Sequence, residues 1–304
     1  MLIAFILTAE GPNLEQRPIG REEEIVVTGE RIARSVHETA SSVVVETASS
    51  IEALAVPLRI EQILQGVPNV QLGSGGEGPT IRGLDSTGVV RDLPAFLAGT
   101  RPRMTISIDG RAASYYELAF GTASIWDAAR VEVFRSPQST TQGRNSIGGA
   151  IFMETGAPTF DWRGKARAIA GNYDARQISG MISGPLLQDQ LAVRLSGDLQ
   201  RNRGSSFITD PVQGVNPNDV KSEVIRFKLL ARPVRIPGAE LDLSYWHGRS
   251  QEPQFQGIEP PYRQRRNPNA TYGIFAISVD SLTARASYRP ADGRCSPSAP
   301  MAQI

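Results

Sequence analysis

The 304-residue chain carries 32 Lys and Arg against 31 Asp and Glu, a formal net charge of +1, so its field argues for neither nucleic acid nor a strongly acidic partner. Cys295 is its single cysteine, and His37 and His247 are its two histidines, which excludes a disulfide framework and leaves almost no material for a zinc site or a histidine-based triad. No run reaches the ~18 apolar residues of a spanning helix, an absence that does not speak against barrel strands, whose alternation keeps hydropathy nearly flat.

Leu2–Thr8, followed by the small residue Ala9, has the character of the apolar core of a secretory signal, so residues 1–9 are expected to be a signal remnant. Residues 10–34 are expected to be a flexible leader, polar and broken by Pro12, Pro18 and Gly20. Within it Ile25, Val26, Val27, Thr28 and Gly29 form an isolated β-forming pentapeptide between charged flanks. Such a segment has no core of its own to join and suits addition to the edge of another protein's sheet.

Val43–Glu46 is expected to be a short strand. Ser49 and Glu52 have capping-box spacing, and Leu58–Gln65 carries Ile60, Ile63 and Leu64 on one helical face, with Gly66 placed to end the helix. The glycine-rich stretch Gly73–Gly78 lacks the Walker spacing and is no phosphate loop. Gly121–Ala128 is expected to be a short helix packing Ile125 and Trp126.

Val131–Ile151 then alternates as a strand through Glu132 and Arg135, stops at Ser136-Pro137, and passes Gly143, Arg144, Gly148 and Gly149 into a second strand. This stretch resembles the end of the plug domain of TonB-dependent outer-membrane receptors, with Arg135, Pro137, Gln138, Ser139, Gly143, Arg144, Gly148, Gly149 and Ile151 fitting and Ser136 and Gln142 departing. Arg82 with Gly83 and Asp109 with Gly110 resemble two further motifs of the same plug. The resemblance implies that Ile25–Gly29 is the TonB box gripped by the inner-membrane energy transducer. It implies that Gly73–Pro79, Leu84–Arg103 and Arg111–Phe120 are plug apices, with Arg91, Arg101, Arg103, Tyr115 and Tyr116 as candidate ligand contacts. Tyrosine and arginine supply rigid aromatic area and charge-assisted hydrogen bonds there. Arg82, Glu132 and Arg135 are expected to be structural charges that need partners rather than catalytic groups.

From Trp162 onward the pattern changes to two-residue alternation. Leu191, Val193, Leu195 and Leu199 alternate with Arg194, Ser196, Asp198 and Gln200; Ile225, Phe227 and Leu229 alternate with Arg226 and Lys228. Leu241–Tyr245 and Leu282–Tyr288 repeat this, and Gly164–Asn172 and Arg176–Gly184 do so more weakly. Charge on one face and aliphatic side chains on the other suit a wall between lipid and a wet lumen.

The expected fold is an α+β plug domain (residues 35–158) followed by antiparallel β-strands (159–290) of an incomplete transmembrane β-barrel of the family's ~22-stranded type, with 291–304 as a non-barrel tail. Twenty-two strands of about 9–11 residues need roughly 200 residues before any loop, whereas 144 follow Phe160, so a truncated receptor is expected. The function implied is active uptake of a scarce ligand, foremost a ferric siderophore, across the outer membrane of a Gram-negative bacterium. The expected partners are the TonB complex, an iron chelate as small-molecule ligand, and outer-membrane lipid. No enzymatic activity, cofactor, metal site or nucleic acid is expected, nor a signalling domain for an anti-sigma factor. A plug-like periplasmic binding module without transport is the alternative.

Overall fold

The computed structural model describes residues 3–9, 26–27, 34–35, 41–53, 59–72, 79–85, 103–114, 117, 124–138, 145–172, 174–203, 219–253, 258–266, 274–289 and 302–303. The chain divides into two compact units, one built from residues 12–119 and 123–156, the other from 1–11, 120–122 and 157–304.

In chain order the elements are β1 (Ile3–Ala9), β2 (Val26–Val27), β3 (Arg34–Ser35), β4 (Val43–Thr47), α1 (Ala48–Ala53), α2 (Ile60–Gln65), β5 (Val70–Gln71), β6 (Thr80–Ile81), β7 (Leu84–Asp85), β8 (Met104–Ile108), β9 (Arg111–Ala112), β10 (Ala128–Phe134) and β11 (Gly149–Thr155). Then come β12 (Arg163–Gly171), β13 (Ala175–Leu187), β14 (Leu191–Arg203), β15 (Asp219–Ala231), β16 (Ala239–Pro253), β17 (Ile274–Tyr288) and β18 (Ala302–Gln303).

The first unit is organised by a five-stranded sheet of order β4-β10-β11-β8-β9, in which β11 runs parallel to β8 and the other pairs are antiparallel. β10 is buried on both faces from Val131 to Phe134, with Val131 and Val133 on one side and Glu132 and Phe134 on the other. Val131 and Val133 point into the main core with Ile60, Ile63, Leu64, Ile106 and Ile151. Phe134 points the other way into a smaller cluster with Ala150 and Phe152, its ring meeting that of Phe152 edge-on at 5.5 Å.

Local chemistry moved three expected features. α1 begins two residues earlier than a Ser49 cap requires: Thr47 precedes it, and its hydroxyl accepts from the Ser50 amide at 3.4 Å. Gly66 ends α2 with right-handed φ −80°, and the left-handed residue is Asn69 at φ 62°. Residues 124–127 form a turn rather than the expected helix, with Asp127 at φ 63°, while Ile125 and Trp126 are buried as anticipated.

The second unit is an antiparallel sheet of order β1-β12-β13-β14-β15-β16-β17-β18. The six strands expected after Trp162 all form, and several extend beyond their apolar stretch because polar residues continue the ladder. β1, the segment expected to be a signal remnant, pairs along its whole length with β12, and β18, in the expected non-barrel tail, pairs with β17 through Ala302 and Gln303.

Candidate functional site

Each unit carries candidate functional features of its own, the first in its turns and the second on the two faces of its sheet. In the first unit, Arg82 (φ 51°) and Gly83 (φ 78°) make a two-residue turn between β6 and β7, and Asp109 (φ 49°) and Gly110 (φ 84°) make another between β8 and β9. Positive φ at both central positions matches the twist of the flanking strands, and it accounts for glycine at the second position of each motif. The Arg82 amide donates to the Asn69 carbonyl at 2.8 Å. Asp109 does more than turn. Its carboxylate accepts from the Thr155 amide at 2.9 Å and from the Thr155 hydroxyl at 2.8 Å, tying the β8–β9 turn to the end of β11.

Glu132 is 1% exposed and lies 3.2 Å from Arg130, which also reaches Glu154 at 2.5 Å. Arg135 donates its Nη1 to the Pro68 carbonyl at 3.1 Å, and its amide to the Ser42 carbonyl. Gln138 is buried; its amide donates to the Ser146 carbonyl and its side chain to the Ser41 hydroxyl. Gly149 starts β11 at φ 138°, where a Cβ would sit 2.3 Å from the Phe134 carbonyl oxygen. Gly148 lies under Leu84, and its amide donates to the Arg103 carbonyl at 2.7 Å. The motif residues therefore cross-link this unit. Gly143 and Arg144 lie outside the described residues.

Of the candidate ligand contacts, Arg103 is half-buried just before β8, and Arg91, Arg101, Tyr115 and Tyr116 lie outside the described residues. Their immediate neighbours are informative. Ser114 and Glu117 bond reciprocally, the Ser114 amide donating to Glu117 Oε1 at 2.8 Å and the Glu117 amide donating to Ser114 Oγ at 3.3 Å. Arg111 adds a two-pronged ion pair to the same carboxylate at 2.6 and 2.9 Å. Glu117 was not singled out from the sequence, although Ser114-Tyr115-Tyr116-Glu117 has the S-x-x-E spacing that signals such a box. Of the transducer-box residues, Val26 and Val27 form β2, paired with Ser35 and Arg34; Ile25, Thr28 and Gly29 lie outside the described residues.

The second unit inverts the partition of a soluble sheet. On β13 to β15 the apolar face is open, with Ile178 65% and Leu199 52% exposed, whereas the polar face is closed, with Asp198 1% and Arg226 3% exposed. Asp198 is satisfied there by Gln177, Ser179 and Gln200, each donating at 2.7 Å. A single register row, Ile182↔Leu195↔Phe227↔Tyr245↔Leu282, crosses five strands, and every member is exposed. At the end closed by the short connections 188–190 and 232–238, exposed Trp162 and Tyr288 flank this band, and the Trp162 ring lies directly over Gly184. An outward apolar band edged by aromatic side chains is the surface a strand wall offers to lipid.

Residues 35–150 match the family model of the TonB-dependent Receptor Plug Domain. The ferrioxamine B receptor of Salmonella typhimurium is 37% identical over 83 residues, 27% of this chain and 12% of that protein. The vitamin B12 transporter BtuB of Vibrio vulnificus is 25% identical over 199 residues, 64% of this chain and 28% of that protein. Among solved structures, the ferric yersiniabactin uptake receptor of Yersinia pestis superposes with a TM-score of 0.69 at 18% identity, covering 83% of this chain and 39% of that one. The ferripyoverdine receptor of Pseudomonas aeruginosa gives 0.67 at 16%, covering 88% and 34%. The chain thus spans about two fifths or less of the length of each.

Proposed function

We propose that the chain, whose residues 35–150 match the TonB-dependent Receptor Plug Domain and whose strand wall has the fold of solved receptors, is a TonB-dependent receptor that serves active uptake of a ferric siderophore across the outer membrane of a Gram-negative bacterium. The observation that carries the reading is the inverted partition of β13 to β15: a sheet exposing Ile178, Leu195 and Leu199 while burying Asp198, Ser196 and Arg226 is built for an apolar surrounding. The 37% identity to a ferrioxamine B receptor supports the choice of an iron chelate as ligand.

In this reading Arg91, Arg101, Arg103, Tyr115 and Tyr116 contact the ligand, with Ser114, Glu117 and Arg111 fixing the flanks of the tyrosine pair. Val26 and Val27 belong to a two-stranded sheet, and the transducer adds its own strand to this segment once ligand binds. Ligand site and box are coupled through the plug, so each must bias the same plug equilibrium. No side chain is asked to do covalent chemistry.

The test is uptake of a radiolabelled ferric hydroxamate by cells carrying the chain within its receptor. Val26→Pro removes a ladder donor and should abolish energised uptake while leaving chelate binding at the cell surface unchanged. Energised uptake at the unaltered rate would remove the box from this role.

A further inference from the structure

The apolar run Ile3–Ala9 has no task in the receptor reading. Expected to be the core of a secretory signal, it forms a strand of the second unit. β1 pairs antiparallel with β12 through all seven of its residues, from Ile3↔Ala170 to Ala9↔Gly164. The stretch holds no charge, proline or glycine, a composition that pairs readily with an open sheet edge.

β12 is the first of the alternating wall strands, and its other edge is taken by β13, from Arg163↔Ser183 to Gly171↔Ala175. A closed barrel has no edges, so in a complete wall the edge of β12 turned away from β13 belongs to the closing strand. β1 therefore holds the position that closure needs. It holds it lightly, by seven pairs against the thirteen of β14 with β15 and the fifteen of β16 with β17. Arg163 and Gly171, the two ends of β12, stay outside its register. The outward side of β12 consists of Gly164, Ala166, Ala168 and Ala170, so main-chain pairing rather than side-chain packing is what this edge has to give.

We infer that β1 is an exchangeable guard strand, which covers the edge of β12 against other chains and gives way to the strand that closes the barrel. An unpaired row of backbone groups is a template for edge-to-edge association. Tethering decides between β1 and a second copy: β1 is joined to the wall by its own chain, and its effective concentration at the edge exceeds that of another molecule in dilute solution. A closing strand reaches the same edge as part of a continuous sheet and with longer pairing. Both cannot hold one edge, so β1 is displaced. The guard rests on the barrel-wall reading but on neither ligand nor transducer, so a failed uptake assay with Val26→Pro leaves it standing.

The test uses the full chain in uncharged detergent micelles. In a Cys295→Ser background, the directly opposed pair Ile6→Cys and Arg167→Cys should form a disulfide on mild oxidation, and Ile6→Cys with Gln177→Cys, one strand further on, should not. Failure of the first pair to cross-link overturns the inference, however other variants fold. Phe5→Pro with Leu7→Pro removes two ladder donors. Hydrogen exchange should then quicken at least tenfold at the β12 amides directed to β1, and stay unchanged at those directed to β13 and throughout β13 to β15. Unchanged exchange everywhere would show that β1 covers nothing, and lost protection across β13 to β15 would make it an integral wall strand; either overturns the guard. The edge opened by the two prolines should retain through gel filtration a fluorescent peptide of residues 3–9 flanked by lysines, at least tenfold more than the unaltered chain does. The same peptide methylated on alternate amides cannot complete the ladder and should be lost. Equal retention of the methylated peptide would reduce binding to partition into the micelle and overturn the guard.

Discussion

Asp109 and Thr155 are bound to one another twice, through the threonine amide at 2.9 Å and its hydroxyl at 2.8 Å, across 46 residues of chain. The contact closes the parallel β8–β11 pair at the end where the chain leaves the first unit for the second. A carboxylate accepting two hydrogen bonds is charge-assisted, so the latch is stronger than a neutral turn contact. Asp109→Ala should lower the opening free energy of the β8 and β11 amides by about 1–3 kcal/mol, and Thr155→Val, which keeps the amide donor, by less. Native-state hydrogen exchange reads both; equal protection in all three proteins would show that the latch is idle.

Gly149 and Gly180 make a matched pair of substitutions. Alanine at 149 must place Cβ 2.3 Å from the Phe134 carbonyl at φ 138°, whereas alanine at 180 meets nothing. Gly149→Ala should destabilise the first unit by about 1–3 kcal/mol, seen as lost protection in β10 and β11. Gly180→Ala should leave protection of the second unit unchanged or raise it.

Glu132 and Glu154 share Arg130, yet one is 1% exposed and the other 43%. Removing a partner from a buried charge pair costs about 3–5 kcal/mol, whereas exposed pairs contribute about 0–1 kcal/mol. Arg130 is itself a quarter exposed and keeps Glu154, so Glu132→Ala should fall below that upper range and still exceed Glu154→Ala clearly. Chemical denaturation of the three proteins checks the order, and equal midpoints would contradict it.

Tyr115→Ala with Tyr116→Ala should weaken chelate binding by about 1–3 kcal/mol if these residues are anchors. Glu117→Gln should weaken it too, by loosening the Ser114 and Arg111 contacts that flank them. Fluorescence quenching by a ferric hydroxamate measures both. Unchanged affinity in the tyrosine variant would take the pair out of the ligand site.

Much of this architecture was legible because it is written in short-range patterns. The six wall strands follow from two-residue alternation, whereas Gly83 and Gly110 were marked only by motif resemblance and their turns emerge from the structure. What was illegible depends on partners distant in sequence. Nothing near Asp109 announces Thr155, and nothing near Gly149 announces the Phe134 carbonyl. Of the helix expected at Gly121–Ala128, residues 121–123 lie outside the described residues, and over 124–127 the burial of Ile125 and Trp126 and the left-handed Asp127 favour a turn into β10. The S-x-x-E spacing of Ser114–Glu117 is legible in the sequence, but the Arg111 fork that completes its contacts is not.

A receptor wall must present the Leu195 face of β14, not the Asp198 face, to lipid. Single cysteines at positions 194 to 199, in a chain with Cys295→Ser, can carry nitroxide labels whose collisions with oxygen and with a water-soluble nickel chelate are measured in reconstituted bilayers. Leu195, Gly197 and Leu199 should favour oxygen, and Arg194, Ser196 and Asp198 should not, giving a two-residue period along β14. A flat profile, or oxygen preference at 194, 196 and 198, would contradict the lipid-facing wall and with it the receptor reading.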